Sequence, residues 1–405
     1  MSMDRPADWT SHPLSRRRLL RHGGQALGVL AGGGLLAACG EESTTTGTVG
    51  GGTTAAGTTA AETAGSASTA AAAGFPVPTA AEIAAASGDV PVLGWPYYES
   101  AANLPSGVTS KWAYLTTNED TLTKTSQPGQ FSAVTIYQGQ IDQLRKLDRI
   151  IPVDTALLEN WSEMAPIFQD TEVIRRDGQV FAVPYHWGFA FTHYRKDRLE
   201  KAPETLADLQ VPALRGKVGL PDDPYAVIST FALFAGYQDA NNLTREQFDA
   251  TIELLTSFKP QVRTVHAYGE EAQLLGRGDV IVDLPSFSGS LVAAREAKLD
   301  TAYTLLGAWS YVDCWMVLKD GPNLAGTYAM MDRSLSPEAQ RETAKTSLAN
   351  PVVDSAVAAL PADLRYTSTE DVLAKAPLLP GVTVETDGAE VPFQEWLTAW
   401  QQFKG

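Results

Sequence analysis

Apolar positions along this chain recur with two alternating periods. Short runs rich in β-branched or aromatic residues and bounded by turn residues predict strands over 90–93, 109–115, 132–136, 216–220 and 280–284. Between them, apolar residues spaced three and four apart predict helices over 140–147, 224–235, 245–258, 269–275, 288–297 and 325–335. This succession predicts an α/β protein with mostly parallel sheets. In such sheets ligands bind outside the carboxyl ends of the strands, so the residues just after each strand are the ones to inspect.

The chain before residue 75 lies outside this pattern. Ser15-Arg16-Arg17-Arg18-Leu19-Leu20-Arg21 resembles the twin-arginine export signal, and the Gly-rich apolar run over 23–38 falls short of the ~20 apolar residues that a membrane-spanning helix needs. The run ends in Leu36-Ala37-Ala38-Cys39-Gly40, which resembles the lipobox of bacterial lipoproteins. That resemblance implies removal of 1–38, acylation of Cys39, and attachment to membrane lipid on the outer side of the cytoplasmic membrane, in the periplasm or at the cell surface. Each buried CH₂ of an acyl chain contributes about 0.8 kcal/mol, so two or three chains make a durable anchor. The plainer alternative is a soluble product cleaved at an ordinary Ala-x-Ala-like site. Residues 40–74 are almost wholly Gly, Ala, Ser and Thr, a composition that cannot bury enough apolar surface to offset its ordering entropy. The segment 39–74 therefore reads as a flexible tether reaching on the order of 30 Å.

Loss of 1–38 removes five Arg and two Asp, so that 26 Lys and Arg stand against 45 Asp and Glu, a net charge near −19. That balance disfavours nucleic acid and anionic headgroups and favours cationic or neutral partners. With Cys39 acylated, Cys314 is the single remaining cysteine, so no intramolecular disulfide is expected. The roughly 330 residues after the tether suffice for two lobes of ordinary size.

Signals for catalysis are poor. The histidines beyond the signal are His186, His193 and His266, without His-Glu-x-x-His spacing, and Ser286-Phe287-Ser288-Gly289-Ser290 lacks the leading glycine of a nucleophile elbow. There is no Gly-x-Gly-x-x-Gly phosphate loop in the folded part. Neither a cofactor nor a metal is expected. A surface-anchored hydrolase is the alternative from a different class.

The residues after the predicted strands are aromatic and acidic: Trp95-Pro96-Tyr97-Tyr98-Glu99, then Tyr137, then Val183-Pro184-Tyr185-His186-Trp187-Gly188. Leu220-Pro221-Asp222-Asp223-Pro224 and Ser310-Tyr311-Val312-Asp313-Cys314-Trp315 follow. In this order and spacing, the chain from about 90 to 402 resembles the periplasmic solute-binding proteins of ABC importers, nearest to the spermidine/putrescine-binding group. The resemblance implies a two-lobed periplasmic-binding-protein architecture of type II, with hinge strands and an interlobe ligand cleft. Lobe one would comprise 75–194 and 309–357, and lobe two 195–308 and 358–405. The implied partners are a small cationic solute, putrescine- or spermidine-like, and an ABC permease in the membrane.

An ammonium leaving water needs carboxylates for its N–H donors or aromatic faces, the latter worth ~0.5 to 2 kcal/mol each. Matched to the family's pattern, Trp95, Tyr98, Tyr137 and Tyr311 form ring walls, and Asp223 and Asp313 receive ammonium groups. The chain departs from that pattern at Ala226, where polyamine binders usually carry Glu, and at Ser286 or Phe287, where they carry Trp. The ligand could then hold a single amine or a quaternary ammonium, or be a sugar, amino acid or metal chelate, and the protein could signal to a receptor instead of feeding a permease. Other roles compete for the same residues. Asp222 or Asp223 before Pro224 is a standard helix start, Trp95 and Tyr98 could be core aromatics, and Trp187 reads as a packed hinge residue.

Overall fold

The computed structural model describes residues 74–95, 98–118, 120–382 and 388–405. The export signal over 1–38, Cys39 and the tether up to residue 73 lie outside the described residues. Among the described residues twelve strands form in chain order. These are β1 (Gly88–Gly94), β2 (Val108–Tyr114), β3 (Ala133–Tyr137), β4 (Ile150–Ile151), β5 (Arg175–Arg176), β6 (Gln179–Val180), β7 (Val183–Arg195), β8 (Val218–Pro221), β9 (Val262–His266), β10 (Val282–Ser286), β11 (Thr301–Leu318) and β12 (Asn350–Pro351).

Ten of them make one sheet whose main path runs β2-β1-β3-β11-β7-β10-β8-β9, with β4 beside β11 and β12 beside β7. At one end β2, β1 and β3 pair in parallel; at the other β10, β8 and β9 do the same. The centre differs from the expected mostly parallel pairing. β7 and β11, of 13 and 18 residues, pair antiparallel with each other and with the strands beside them. The reason lies in length, because β7 runs from one parallel wing into the other and β11 returns in the opposite sense. β7 is buried at every position but Phe189, as a strand covered on both faces must be.

Helices cover the sheet and follow the sequence closely. Arg245–Phe258 opens with a capping box in which Thr244 accepts from the Gln247 N–H, and it buries Phe248, Thr251, Leu255 and Phe258 along one stripe. Burial of such Phe and Leu side chains contributes roughly 1.5 to 3 kcal/mol each. Pro224–Phe234 starts with proline at its first turn and is buried from Pro224 through Ala232, so it is a core helix without a solvent stripe. The last helix, Phe393–Lys404, packs Trp396, Trp400 and Phe403 inward.

Buried tryptophans carry an N–H that needs a partner, and those near the hinge find one. Trp315 donates to Ser334 Oγ at 3.0 Å, Trp309 to Thr230 Oγ1 at 3.0 Å, and Trp187 to the Pro351 carbonyl at 3.0 Å. Trp187 is thus the packed hinge aromatic that the sequence suggests. Gln138, buried just after β3, accepts from the Val312 N–H and donates to the Leu379 carbonyl, so one side chain fixes β11 beside β3. Cys314 is buried and unpaired.

Candidate functional site: an aromatic cluster with two unlike carboxylates

The carboxyl ends of the parallel strands and the middle of β7 and β11 meet at one place. Asp313 lies on β11 in register with Tyr137 of β3 on one side and His186 of β7 on the other. Its side chain is only 3% exposed. Tyr98 Oη donates to Asp313 Oδ2 at 2.6 Å, and the Tyr98 ring stands edge-on to His186 with centroids 4.2 Å apart. Burial pushes the Asp313 carboxyl up to about 7, although the Tyr98 hydroxyl works against the shift. Burial likewise pulls His186 down to about 3. His186 Nδ1 is 3.6 Å from Asp313 Oδ2, too far for a hydrogen bond, and neither ring nitrogen has a partner among the described residues. The pair is therefore a neutral imidazole beside an unmatched acid, not an ion pair.

Asp223 has a different setting. It caps the helix Pro224–Phe234, with Oδ1 accepting from the Ala226 N–H at 3.0 Å. Its Oδ2 accepts from Asn118 Nδ2 at 2.9 Å and from Tyr268 Oη at 2.7 Å. Asp222, the other acid of the pair, turns away and holds Trp400 Nε1 and Lys404 Nζ, both at 2.7 Å, so it anchors the last helix.

Aromatic rings link the two carboxylates. Trp95 meets Tyr268 edge-on at 6.2 Å, Tyr268 meets Phe287 at 5.7 Å, and Phe287 meets Tyr311 at 5.6 Å. Tyr137 packs on Tyr225 at 4.9 Å, and Tyr225 on Trp309 at 5.2 Å. Gly188, in register with Tyr311 on the next strand, makes room for that ring, since a Cβ there would stand 2.5 Å from Tyr311 Oη. The loop carrying Tyr268 is held from behind by His266, whose Nε2 lies 2.7 Å from Asp283 Oδ1. Burial opposes charge on that imidazole, but the bond to Asp283 outweighs it and raises His266 to about 9.

All six residues expected to form the site, Trp95, Tyr98, Tyr137, Asp223, Tyr311 and Asp313, thus belong to one connected cluster. Asn118, His186, Tyr225 and Tyr268 join them without having been expected there. Tyr268 has a legible position, directly after a strand, but β9 itself does not stand out in the sequence. Asn118 offers no signal, lying in a polar loop that reads as a turn. Among the described residues, no group of His, Cys, Asp and Glu could hold a metal ion, and no helix is long and apolar enough to cross a membrane.

Comparison with known proteins agrees with this architecture. A family model described as bacterial extracellular solute-binding protein matches residues 106–381. The putrescine-binding periplasmic protein SpuD of Pseudomonas aeruginosa is 22% identical over 267 residues, covering 58% of this chain and 70% of that protein. Among solved structures, the spermidine/putrescine ABC transporter substrate-binding protein PotD of Streptococcus pneumoniae superposes with a TM-score of 0.66 at 18% identity, covering 78% of this chain and 99% of that one. The TpPotD lipoprotein of Treponema pallidum gives the same TM-score of 0.66 at 16% identity, again over 78% of this chain and 99% of that one. At these identities the solved structures show the fold, that of two-lobed periplasmic substrate-binding proteins. The matched family model covers well over half of the chain, and with the cleft it places the protein: it belongs to the bacterial extracellular solute-binding proteins.

Proposed function

We propose that this chain is the extracytoplasmic substrate-binding protein of an ABC importer, capturing a small organic cation that carries an amine, as the polyamines do, and delivering it to a permease. The observation that carries the reading is Asp313. A carboxylate this deeply buried is costly unless a charge or several donors match it, and among the described residues a single hydroxyl reaches it. An ammonium from the ligand is the missing partner, and the rings of Tyr98, Tyr311, Trp95 and Tyr137 offer faces to its carbon chain and its charge. Asp223 frames the other side of the cleft. Support from outside the site comes from the relatives, the putrescine-binding SpuD and the spermidine/putrescine substrate-binding protein PotD.

Two lobes, 75–194 with 309–357 and 195–308 with 358–405, would close on the ligand about the crossing strands. A twin-arginine signal over 1–38 would direct export, and after its removal lipid on Cys39 and the tether 39–74 would hold the protein at the outer face of the membrane near its permease. Thermal-shift screening against diamines, triamines, betaines, amino acids and sugars tests the assignment. A ligand at 100 times its dissociation constant stabilises the fold by about 2.7 kcal/mol. Amines should give the largest shifts; a neutral or anionic winner would overturn the cation reading and leave the fold assignment standing.

A further inference from the structure

The two carboxylates of the cleft are not equivalent. Asp313 accepts from one donor among the described residues, through Oδ2. Asp223 accepts from at least three: the Ala226 N–H on Oδ1, and Asn118 and Tyr268 on Oδ2. An ionised carboxylate has about four acceptor positions, so most of the capacity of Asp223 is taken by the protein itself. No second acid stands one turn along the helix, where Ala226 is buried.

The donors to Asp223 come from opposite ends of the sheet. Asn118 follows β2, the first strand of the main path, whereas Asp223 and Tyr268 follow β8 and β9, the last two. Trp95, following β1, repeats the crossing by packing on Tyr268. A hydrogen bond from the loop of one terminal strand to the loops of the other forms only when the two wings are folded together over the cleft. A bond of this kind rewards closure regardless of what lies inside.

We propose that Asp223 is the closing clasp of the cleft, fastened by Asn118, and that the ligand is accordingly a singly charged amine whose one ammonium is received by Asp313. This rests on the cation reading of the site given above. The body of the ligand then lies along the rings between the two acids, and its far end carries no second charge that needs a carboxylate.

Isothermal titration of the full-length mature protein with matched pairs of four-carbon and seven-carbon linear amines tests it, each pair holding a monoamine and the α,ω-diamine. The monoamine should bind at least as tightly as the diamine of equal length. Asn118→Ala and Asp223→Asn should each weaken both members by a similar factor, about tenfold for one charge-assisted hydrogen bond, leaving their ratio unchanged. Small-angle scattering should show less ligand-induced contraction in Asn118→Ala, which lies in a loop and leaves the helix cap intact. A diamine preferred tenfold or more, with the preference abolished by Asp223→Asn, would overturn the clasp while upholding the cation reading. Failure of all four amines beside tight binding of a neutral or anionic solute would fell both.

Discussion

Tyr98 and Asp313, 215 positions apart in the chain, are joined by a 2.6 Å hydrogen bond at the point where the loop after the first strand meets the long crossing strand β11. The bond has consequences for both groups. Burial and then the Asp313 charge raise the Tyr98 phenol well above its ordinary range, so it stays a donor at every physiological pH. The same bond partly restrains the upward shift of Asp313, which still reaches about 7.

Ligand binding should therefore release a proton. Asp313 must be ionised to receive an ammonium, and in the empty cleft it is half protonated near pH 7. Apparent affinity for the best amine should fall about tenfold per pH unit below 7 and level off above it. The groups around Asp313 do not blur this window, since Tyr98 and Tyr311 are raised and His186 is lowered to about 3. The stability of the empty protein should show the opposite trend. A carboxyl whose folded value lies above its unfolded one stabilises the fold at low pH, and that contribution is lost as pH rises from about 4 toward 7. Titration calorimetry at pH 6 in buffers of different ionisation enthalpy would register the proton; a pH-independent affinity between 5 and 8 would contradict the assignment.

Tyr98→Phe and Tyr98→Ala should separate the hydroxyl from the ring. Phe keeps the aromatic face but leaves Asp313 without its donor, so the midpoint of the pH profile should move upward with only a small loss of affinity above pH 8. Ala removes the face as well and should cost a further ~0.5 to 2 kcal/mol at any pH. Identical profiles for the two variants would mean that the ring plays no part in binding.

Gly188→Ala should damage the site from behind. The added methyl would stand 2.5 Å from Tyr311 Oη, so the ring must move, at a cost of about 1 to 3 kcal/mol of overpacking. Denaturant unfolding should show that loss, and amine affinity should drop with it. Affinity unchanged while stability falls would remove Tyr311 from the binding wall.

Much of this cleft was legible because its residues sit where chain chemistry is conspicuous. Asp313 is an acid in an apolar run, between Val312 and Cys314, and all three residues are buried. The helix after Asp223 was readable from its Asp-Pro start, and the side chain is indeed its cap. The long antiparallel centre of the sheet was not legible from periodicity, because strands buried on both faces lose the alternation that marks a strand. Nor could the sequence have exposed Asn118, whose bond to Asp223 spans 105 positions, or Tyr268, which follows a strand whose burial barely alternates. Such contacts arise when the two wings meet, and no local pattern records them.

The proposed export signal and the proposed lipid anchor rest on separate residues and should be separable in cells. Arg16→Lys with Arg17→Lys should block export, and Cys39→Ala should yield soluble protein or unprocessed precursor. Membrane fractionation decides it: retention of the Cys39→Ala protein in the membrane fraction would remove the lipid anchor.

Calorimetry on Asp313→Asn with the best-binding amine tests the central claim most directly. The substitution preserves shape but leaves the bound ammonium with a neutral partner at a desolvated position, so affinity should fall by roughly 2 to 5 kcal/mol. The stability of the empty protein should hold or rise, because a costly buried acid has gone. Equal binding of an amine by Asp313→Asn and the parent would contradict cation recognition at this residue.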